Sequence, residues 1–537
     1  MKITVVLSAL ALFLFLPPTS AHGEDMLALD ARSRVRASPD GEYAVVSSKL
    51  QWKPSETAVI ICDMWDQHWC KGATRRVAEM APRVNQFVGE ARTKGMLIVH
   101  APSSTMKHYQ GHPARMRAQQ APKAANLPPD INGWCKWIDP NEQAAYPIDQ
   151  SDGGCDCQPQ CPAGSPWQKQ IETIEIRNED AISDSGPEIW NLFEQRRIKN
   201  VILLGVHTNM CVLGRPFGLR NMARFGKNVV LVRDLADTMY NHSMSPYVNH
   251  FTGTDLIIEH VEKRVCPTIT SSVLSGLPPF RFQEDKRQLV VFISAENEYD
   301  ASRTLPDFAN ELELKYGLAC RILQGSTEAS GPQCNSIPGL EILPQADLAV
   351  LYVRRRALPP EQMKYLRDYI GSGKPIIGLR TASHAFAVPK DKMPSGLVDW
   401  PQFDPDVLGG NYQGHHGNKS EDGPKTYVRI QPGMESHPIL KGVPAGEIHV
   451  RSWLYKVLPL GSRTTILMTG RVDDRKPHEP VAWTNIRSDG GRVFYTSLGH
   501  PDEFKLPWFR RMLINGVFWA MDKPVPAKVH TNKADIK

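Results

Sequence analysis

The sequence predicts an α/β protein of two three-layer units, each a mainly parallel sheet with helices on both faces. Its 537 residues are too many for one hydrophobic core, so two units are expected. Short, continuous apolar runs alternate with segments of helical periodicity, which is typical of parallel strands buried on both faces. This alternation stops near residues 278–286 and then starts again.

The N-terminal segment, MKITVVLSALALFLFLPPTSA, predicts a secretory signal peptide over residues 1–21. One lysine precedes an apolar run, Ile3–Leu16, and two prolines and several small residues follow it. An uncleaved membrane anchor is the alternative, but an anchor needs about 20 apolar residues and this run is shorter. We therefore expect a periplasmic or secreted protein with no membrane attachment after the signal is cleaved.

The charge of the chain is mild and scattered. Its formal net charge is +6, and the sequence has no long basic run. A nucleic-acid partner would leave a concentrated basic patch, so no such partner is expected. Small molecules are the expected partners, and the sequence leaves a homo-oligomer open.

The elements of the first unit follow the chain in order. A strand over Thr57–Cys62 precedes a helix of apolar residues at helical spacing, which ends at Gly95. The further predicted strands are MLIVHAPSS, IETIEI, NVILLGV, KNVVLVRD and TDLIIEHVEK. The further predicted helices are PEIWNLFEQRRI, with Pro187 in its first turn, and CVLGRPFGLRNMARFG. Residues 113–166 are rich in proline, glycine, cysteine and aspartate and are expected to form a loop.

Two chemically useful side chains follow strands of this unit. Asp63 ends the run VIICD, and Cys211 follows NVILLGV at the start of a predicted helix. Ligands of such sheets bind beyond the carboxyl ends of the strands. A thiol needs a base and a place for the developing oxyanion, which a carboxylate and a helix start provide. The alternative is that Cys211 is a small core residue.

The motifs GVHTNMCV, VIICDMWD and KNVVLVRDLADT resemble the isochorismatase-like cysteine hydrolases, the superfamily that includes the nicotinamidases. The resemblance covers Ser55 to Pro267, within an expected domain of residues 55–280. It implies that Cys211 is the nucleophile and Asp63 the base in cleavage of a small amide or related C–N bond through a thioester, without a cofactor. It also implies a cis peptide at Val206–His207 and an oxyanion hole formed by the amides of His207 and Cys211.

The family's third catalytic residue is a lysine after the third strand, and this sequence has none at that place. The corresponding region reads IEIRNEDAISDSGPEIW. Arg177 is the nearest cation, and Lys169 lies further upstream. Arginine would keep the positive charge but would not exchange a proton readily. Arg177 is therefore the predicted third member, and a solvated surface charge is the alternative.

Aromatic residues close to Asp63 predict the substrate pocket. Trp65, His68 and Trp69 suit the wall of a pocket for a planar or ring-shaped substrate, although core packing would use the same residue types. Nicotinamidases also hold a metal with an aspartate and histidines. Three histidines lie in and after the predicted strand MLIVHAPSS, in a region rich in proline and glycine, so surface histidines are expected and no metal ligand is assigned: His100, His108 and His112.

Four of the ten cysteines crowd one region, the expected cysteine-rich insert near residues 130–166. They are Cys135, Cys155, Cys157 and Cys161. In an exported chain they could form disulfides or hold a metal. Their C-x-C-x3-C spacing fits no familiar zinc pattern, so disulfides are favoured. Cys320 and Cys334 could pair or stay free.

In the second unit, the predicted strands are DKRQLVVFISA, DLAVLYV, KPIIGL, TTILMTG and GRVFYTSLGH, and the predicted helices include PPEQMKYLRDYIGSG and WFRRMLINGVFWAMD. The motifs HPILKGV, PVAWTNI and GRVFYTSLGH resemble the trehalose-utilisation (ThuA-like) proteins, which share the flavodoxin-like fold of class I glutamine amidotransferases. The resemblance covers residues 286–526. Amidotransferases carry a cysteine in the turn after a strand like KPIIGL, whereas this chain has Arg380 there, so amidotransferase chemistry is not expected.

Histidines in this unit could line a pocket for a sugar or another polyol, or could be loop residues without a ligand: His384, His415, His416 and His500.

Two functions follow from the sequence. The first is an exported cysteine hydrolase with an accessory ThuA-like domain. The second is an inactive carbohydrate-binding or scaffold protein, which the missing lysine favours.

Overall fold

A computed structural model describes residues 26–36, 43–328, 331–416, 425–473 and 478–525. The predicted signal peptide, residues 1–21, lies outside the described residues. Within those ranges the chain forms two sheets, one built from residues 27–269 and the other from residues 289–496. No helix in the described part is both long enough and apolar enough to cross a bilayer.

The first sheet has eight strands within the described residues. They are β1 (Leu27–Arg36), β2 (Tyr43–Trp52), β3 (Thr57–Cys62), β4 (Leu97–Ala101), β5 (Ala181–Ile182), β6 (Asn200–Val206), β7 (Asn228–Asp237) and β8 (Thr268–Ile269). Their order is β2-β1-β8-β7-β6-β3-β4-β5. Strands β3 to β8 pair in parallel, and the hairpin β1–β2 lies antiparallel beside β8.

Helices cover both faces of this sheet. They are α1 (Lys71–Thr93), α2 (Pro113–Gln119), α3 (Pro140–Ala144), α4 (Gly186–Arg196), α5 (Leu219–Arg224), α6 (His250–Arg264) and α7 (Ser272–Ser275). Apolar residues of α1 pack on one face, and those of α4, α5 and α6 pack on the other. Every residue of β3 and β6 is buried, as expected for central strands covered on both sides.

The second sheet has nine strands within the described residues. They are β9 (Leu289–Ala295), β10 (Ala319–Gln324), β11 (Leu348–Val353), β12 (Ile376–Leu379), β13 (Thr426–Ile430), β14 (Ile448–Val450), β15 (Thr464–Val472), β16 (Glu479–Ile486) and β17 (Arg492–Thr496). Their order is β10-β9-β11-β12-β17-β16-β15-β13-β14. Helices α8 (Ala301–Tyr316) and α10 (Pro507–Ala520) pack on one face, and α9 (Pro360–Gly371) packs on the other.

The α/β class with two layered units is confirmed, but the second sheet is mixed and not mainly parallel. Five of its strands, from β10 to β17 in spatial order, are parallel, whereas the pairs from β17 to β14 are antiparallel. Antiparallel strands need only short connections, so no intervening helix marks them in the sequence.

Three further predictions in the first unit are wrong. TDLIIEHVEK lies within α6, because its apolar run packs one helical face on the core, and a short apolar run does not distinguish strand from helix. IETIEI is not a strand, and β5 takes the sheet edge beside β4. The helix expected from Cys211 is broken into a π-helical turn, Thr208–Val212, and α5, with Pro216 and Gly218 between them.

The hairpin β1–β2 precedes every element that the sequence predicts, and it contacts both units. Arg34 in β1 forms an ion pair with Glu262 of α6 at 2.9 Å and donates a hydrogen bond to Asn310 of α8 at 2.9 Å. The backbone amide of Val45 donates to Asp307 of α8 at 2.7 Å. The hairpin therefore extends the first sheet and also holds the first helix of the second unit.

Candidate active site

The carboxyl ends of β3 and β6 lie side by side, because Cys62 pairs with Gly205 in their parallel register. Gly205 has a φ of 111°, and a Cβ at this position would lie 2.1 Å from the Cys62 carbonyl oxygen, so only glycine fits there. Asp63 follows β3 directly. Strand β6 leads into the π-helical turn Thr208–Val212, which contains Cys211. The topology thus brings Asp63 and Cys211 together.

Asp63, Cys211 and Arg215 lie together, and we call them the thiol–carboxylate–guanidinium group. The Asp63 carboxylate acts to raise the pKa of the Cys211 thiol, and the Arg215 guanidinium acts to lower it. Arg215 Nε and Nη2 lie 3.1 and 3.0 Å from Asp63 Oδ2. The amide of Ser103 donates to Asp63 Oδ1 at 2.8 Å. Asp63 is fully buried, and these donors replace the water it has lost.

Burial governs the protonation of this group. It raises the pKa of the Cys211 thiol well above its ordinary value, and the nearby Asp63 carboxylate raises it further. Burial also raises the pKa of Asp63, while the Arg215 charge acts to lower it. Cys211 is therefore a neutral thiol at rest and not the preformed thiolate of a cysteine with a depressed pKa. A base has to remove its proton as it attacks.

The turn that carries Cys211 is tightly bonded. The carbonyl oxygen of His207 accepts hydrogen bonds from the amides of Met210 and Val212, at 3.0 and 3.2 Å. The amide of Arg215 donates to the carbonyl of Cys211 at 3.0 Å. Arg215 therefore lies about one helical turn after Cys211. The peptide bond Val206–His207 is cis, as the family resemblance implies.

Behind this turn lies a buried ionic network. Asp237, the last residue of β7, accepts hydrogen bonds from Arg76 at 2.7 Å and from His250 at 2.9 Å. Burial alone would raise the pKa of Asp237, but Arg76 and then His250 hold it well below its ordinary range. The carbonyl of Asp237 accepts from Thr208 Oγ1 at 3.0 Å. The network therefore holds the start of the Cys211 turn against β7.

Neither cation predicted from the sequence reaches the site. Arg177 is 48% exposed at its side chain and pairs with Glu175 at 3.0 Å. Lys169 pairs with Glu172 at the surface. The prediction of Arg177 as third member is wrong, because the segment that carries it is not a strand and turns outward. Arg215 provides the charge, and its C-x3-R spacing from Cys211, about one helical turn, is the signal that could have identified it.

The predicted aromatic residues do come together, and the structure adds one more. Trp65 stacks on Trp167 with ring centroids 4.3 Å apart, and His68 stacks on Trp167 at 5.8 Å. His68 also contacts Trp69 at 5.3 Å and His207 at 4.8 Å. Burial lowers the pKa of His68 to about 4, and the Arg76 charge also acts to lower it, so this wall is uncharged at neutral pH.

At the exposed side of the group, Trp134 covers Arg215. The guanidinium lies 5.1 Å from the Trp134 ring centroid, and Trp134 is 43% exposed. Trp134 comes from the cysteine-rich insert, which therefore contributes to the surroundings of Cys211. Cys211 itself is only 8% exposed. A surface cleft of about 600 Å³ lies beside Arg36 and Arg264, and neither Cys211 nor Arg215 lines it.

The three histidines singled out in and after β4 do not share ligand-binding contacts: His100 lies within the strand, and His108 and His112 follow it. His100 is fully buried, with Nδ1 bonded to Gln170 at 3.0 Å and Nε2 bonded to Asp180 at 3.1 Å. Nδ1 of His112 accepts from the amide of Ala114 at the start of α2, at 3.1 Å. His100 is therefore a structural residue of the core, and the surface placement expected for it is wrong.

The cysteines of the insert are arranged differently from the prediction. All ten cysteines are free thiols. Cys155 and Cys157 meet Cys70, at the start of α1, with all three sulfur atoms within 4.8 Å of one another. Cys161 packs in the same apolar cluster. Cys135 lies apart from them, where its amide donates to the Gly214 carbonyl at 2.8 Å. The disulfides favoured from the sequence are absent. The cysteine grouped with Cys155 and Cys157 is Cys70, whereas the sequence predicts Cys135 there.

In the second unit, Arg380 follows β12 with a φ of 42° and is fully buried. Its guanidinium donates to the Ser497 carbonyl at 2.7 Å and to the Tyr299 hydroxyl at 3.0 Å. Its charge also lies over the rings of Tyr299, at 4.1 Å, and Tyr455, at 4.9 Å. No carboxylate of the described residues lies within ion-pair distance of Arg380.

Of the four histidines singled out in this unit, His384 and His415 both adjoin Tyr455. His384 is buried and stacks on Tyr412 at 4.2 Å. Burial lowers its pKa well below the ordinary value, and three neighbouring arginines also act to lower it. His416 bonds Glu479 at 2.9 Å, and His415 and His500 pack against Trp453 and Tyr299.

The chain was then compared with known proteins. No curated protein sequence matches it. A ThuA-like protein from Bacteroides uniformis ATCC 8492 has a similar structure (TM-score 0.32, 16% identity, 47% of this chain and 98% of that chain). So do a cysteine hydrolase from Pseudomonas syringae pv. phaseolicola 1448A (0.26, 15%, 41% and 91%) and an isochorismatase family protein from Desulfovibrio vulgaris (0.23, 14%, 41% and 97%). Residues 337–520 match the family model for trehalose utilisation (ThuA), which confirms the resemblance predicted for the second unit.

Proposed function

We propose that the first unit is a hydrolase that cleaves a small amide or a related C–N bond, other than a peptide bond, through a thioester on Cys211. The observation that carries this proposal is the thiol–carboxylate–guanidinium group. A thiol beside a buried carboxylate at the carboxyl edge of a parallel sheet has a candidate base next to it. A cysteine kept only for packing would not need a buried, ion-paired carboxylate beside it.

In the first half-reaction, the Cys211 sulfur attacks the substrate carbonyl carbon while its proton moves to Asp63. The new C–S bond leaves a negative charge on the carbonyl oxygen, and the amides of His207 and Cys211 would stabilise it. When the intermediate collapses, the C–N bond breaks and Asp63 returns the proton to the departing nitrogen. The products of this half-reaction are an amine or ammonia and the thioester.

In the second half-reaction, Asp63 takes a proton from water as the water oxygen attacks the thioester. The C–S bond then breaks, and the proton returns to the sulfur while the acid product leaves. Overall one water is consumed and one C–N bond is replaced by a C–O bond. No redox partner is needed, and the thiol and the carboxyl group end as they began.

Arg215 has an electrostatic role in this scheme. It pairs with Asp63, and its charge acts to lower the pKa of the Cys211 thiol, so it favours both the carboxylate at rest and the thiolate as it forms. Because arginine does not give up its proton, Asp63 alone must carry the transferred proton. This role does not require a lysine, so the missing family lysine does not argue against activity.

The stacked pair Trp65 and Trp167, with His68, supports a planar substrate. Flat, uncharged walls favour a conjugated or ring-shaped amide over a flexible aliphatic one. The limited exposure of Cys211 supports a small substrate.

A screen of amides and ureides for release of ammonia tests the proposal. The full-length protein is expected to hydrolyse at least one planar amide, whereas the Cys211→Ala variant should hydrolyse none. Cys266→Ala is the matched control, because Cys266 is a buried free thiol of the same unit outside the site. Equal rates for wild type and Cys211→Ala would contradict the proposal.

For the second unit we propose carbohydrate or polyol binding without catalysis. Arg380 stands where amidotransferases carry their nucleophile, and tyrosine rings surround its buried charge. The buried guanidinium holds the partly exposed Tyr299, and aromatic faces are suited to hydroxyl-rich ligands. Calorimetric titration with a panel of sugars should give binding that Arg380→Ala abolishes. Binding unaffected by this change, or no binding of any sugar, would contradict the proposal.

Export remains a proposal that the N-terminal sequence supports. Cell fractionation with sequencing of the mature N-terminus tests it, and the mature chain is expected to begin near residue 22. A cytoplasmic protein that retains Met1 would contradict it.

A further inference from the structure

The cysteine-rich insert contacts the start of α1 through sulfur. We call Cys70, Cys155, Cys157 and Cys161 the thiol cluster. The sulfur atoms of the first three lie within 4.8 Å of one another, and those of Cys70 and Cys157 are 3.9 Å apart. The cluster is distinct from Asp63, Cys211 and Arg215, and the hydrolysis scheme does not use it.

The spacing of these sulfur atoms suits a metal. A tetrahedral zinc site has Zn–S bonds of about 2.3 Å, which places its sulfur atoms about 3.8 Å from one another. A disulfide would require about 2.05 Å. The distance of 3.9 Å between Cys70 and Cys157 is close to the edge of a zinc tetrahedron. Three thiols within 4.8 Å of one another are the ligand type that zinc prefers in structural sites.

The surroundings of the cluster supply the outer contacts of a thiolate site. The amide of Gly72 donates to the Cys157 sulfur at 3.3 Å, and the amide of Cys161 donates to the Cys155 sulfur at 3.5 Å. The N-terminus of α1, a helix of 23 residues, begins directly after Cys70. Both features favour negative charge on sulfur, and amide donors of this kind orient the ligands of a metal site.

One carboxylate also lies beside the cluster. Asp156 Oδ1 is 3.7 Å from the Cys70 sulfur. Asp156 is already bound by Arg76 at 2.8 Å, and His250 Nδ1 lies 3.3 Å from it. Its negative charge is therefore matched by Arg76, and it is not a free ligand. Cys161 is the remaining thiol, and its backbone amide donates to the Cys155 sulfur.

We propose that the thiol cluster holds one zinc ion, with Cys70, Cys155 and Cys157 as ligands and Cys161 as the fourth. The ion would join the insert to α1 and the chain that precedes it. His68 stands two residues before Cys70, and its Nδ1 accepts a hydrogen bond from the Cys70 amide at 3.1 Å. The site would therefore fix the aromatic wall beside Cys211 without taking part in the reaction.

The test uses the full chain, purified under reducing conditions, and measures bound metal after titration with Zn²⁺ and dialysis. One zinc per chain is expected. Substitution with Co²⁺ should give the sulfur-to-metal charge-transfer bands and the intense visible bands of tetrahedral thiolate coordination. The cobalt spectrum needs no variant, so it decides the proposal even if a cysteine variant fails to fold. The absence of these bands would overturn the proposal.

Variants then assign the ligands. Cys155→Ser and Cys157→Ser should each weaken Zn²⁺ binding by about 10-fold or more, since a direct ligand matters at least as much as an outer contact. Cys135→Ser is the control, because Cys135 belongs to the same insert but lies outside the cluster, and it should keep one zinc. An unchanged cobalt spectrum in Cys161→Ser would overturn Cys161 as the fourth ligand. A peptide map of the untreated protein with Cys70 disulfide-linked to Cys155 or Cys157 would overturn the whole site.

Discussion

Each unit has a turn after the carboxyl end of a parallel strand, and the two turns carry different chemistry. After β6, the turn carries a thiol beside a carboxylate that is paired with a guanidinium. After β12, Arg380 occupies the turn alone, with a positive φ and with tyrosine and backbone oxygens as hydrogen-bond partners. A turn after a parallel strand therefore carries a thiol in one unit and a fixed positive charge in the other. Fold alone does not assign the function of either turn.

Two buried carboxylates sharpen this contrast. Asp63 in the first unit is buried beside Arg215, whose charge opposes the rise in its pKa. Asp404 in the second unit is also buried, but its Oδ2 accepts only the amide of Tyr412, at 2.7 Å, and burial raises its pKa to about 7. A buried carboxylate with a guanidinium can serve as a base near neutral pH, and one without a cation is largely protonated there.

The largest expected effect is the loss of the thiol. Cys211→Ala should lower the rate of amide hydrolysis by about 10⁴-fold or more, because the covalent route disappears. The rate on the best substrate from the amide screen measures this. Cys320→Ala changes a buried thiol of the second unit and should leave the rate unchanged. A comparable loss in Cys320→Ala would show that activity does not belong to the first unit alone.

The next effect separates the two arginines of the first unit. Arg215→Ala should lower kcat by about 10²–10³-fold, the usual loss when an electrostatic group of an active site is removed. Arg177→Ala should have no effect, because its side chain is at the surface and pairs with Glu175. Steady-state kinetics of both variants gives the answer. A large loss in Arg177→Ala with none in Arg215→Ala would refute the group as described.

The third effect is on stability and concerns Asp404. Its folded pKa of about 7 lies above the unfolded value near 3.8, so the folded chain keeps a proton that the unfolded chain releases. The stabilisation from this proton is complete below pH 4 and is lost as the pH rises towards 7. Between pH 5 and pH 7 the free energy of unfolding should therefore fall by about 2 kcal/mol because of this group.

Asp404→Asn should remove this dependence, which urea unfolding at pH 5 and pH 7 can measure. Asp406→Asn, at an exposed neighbouring position, is the control and should unfold with the pH dependence of the wild type. If Asp404→Asn keeps the full dependence, the lack of a cation beside Asp404 has no energetic consequence, and the contrast with Asp63 fails.

The smallest effect concerns the aromatic cover of Arg215. Trp134→Ala removes a cation–π contact at a partly exposed site, worth about 0.5–1 kcal/mol, so kcat/KM should fall by about 2- to 5-fold. Trp137 covers Arg220 in a similar contact at 4.9 Å, outside the site. Trp137→Ala should leave kcat/KM unchanged, and equal losses in both variants would indicate a general disturbance of the insert.

Much of the fold could be predicted because central strands are continuous apolar runs. Strands β3, β6, β7 and β9 appear at the predicted places. The hairpin β1–β2 was not predicted, since it pairs at the edge of the sheet through contacts distant in sequence. Helix α6 was predicted as a strand because its apolar residues are consecutive as well as helically spaced.

The candidate site, like the fold, could be predicted only in part from the sequence. Asp63 and Cys211 could be placed together because the ends of neighbouring parallel strands share an edge. The cation could not be placed from the third-strand region, whose chain turns outward, and Arg215 reaches Asp63 only because the turn after Cys211 is helical. Trp167 and Cys70 join their partners across about 90 to 100 residues of sequence, so no local pattern could indicate them.

The most direct test of the central claim is to trap the covalent intermediate. The protein is mixed with its best amide substrate, quenched in acid within the first turnovers, digested and mapped by mass spectrometry. We predict an acyl group on the peptide that contains Cys211, and its accumulation in Asp63→Asn should be strongly reduced. Full turnover without any acyl adduct on Cys211, or an adduct on another residue, would contradict the account.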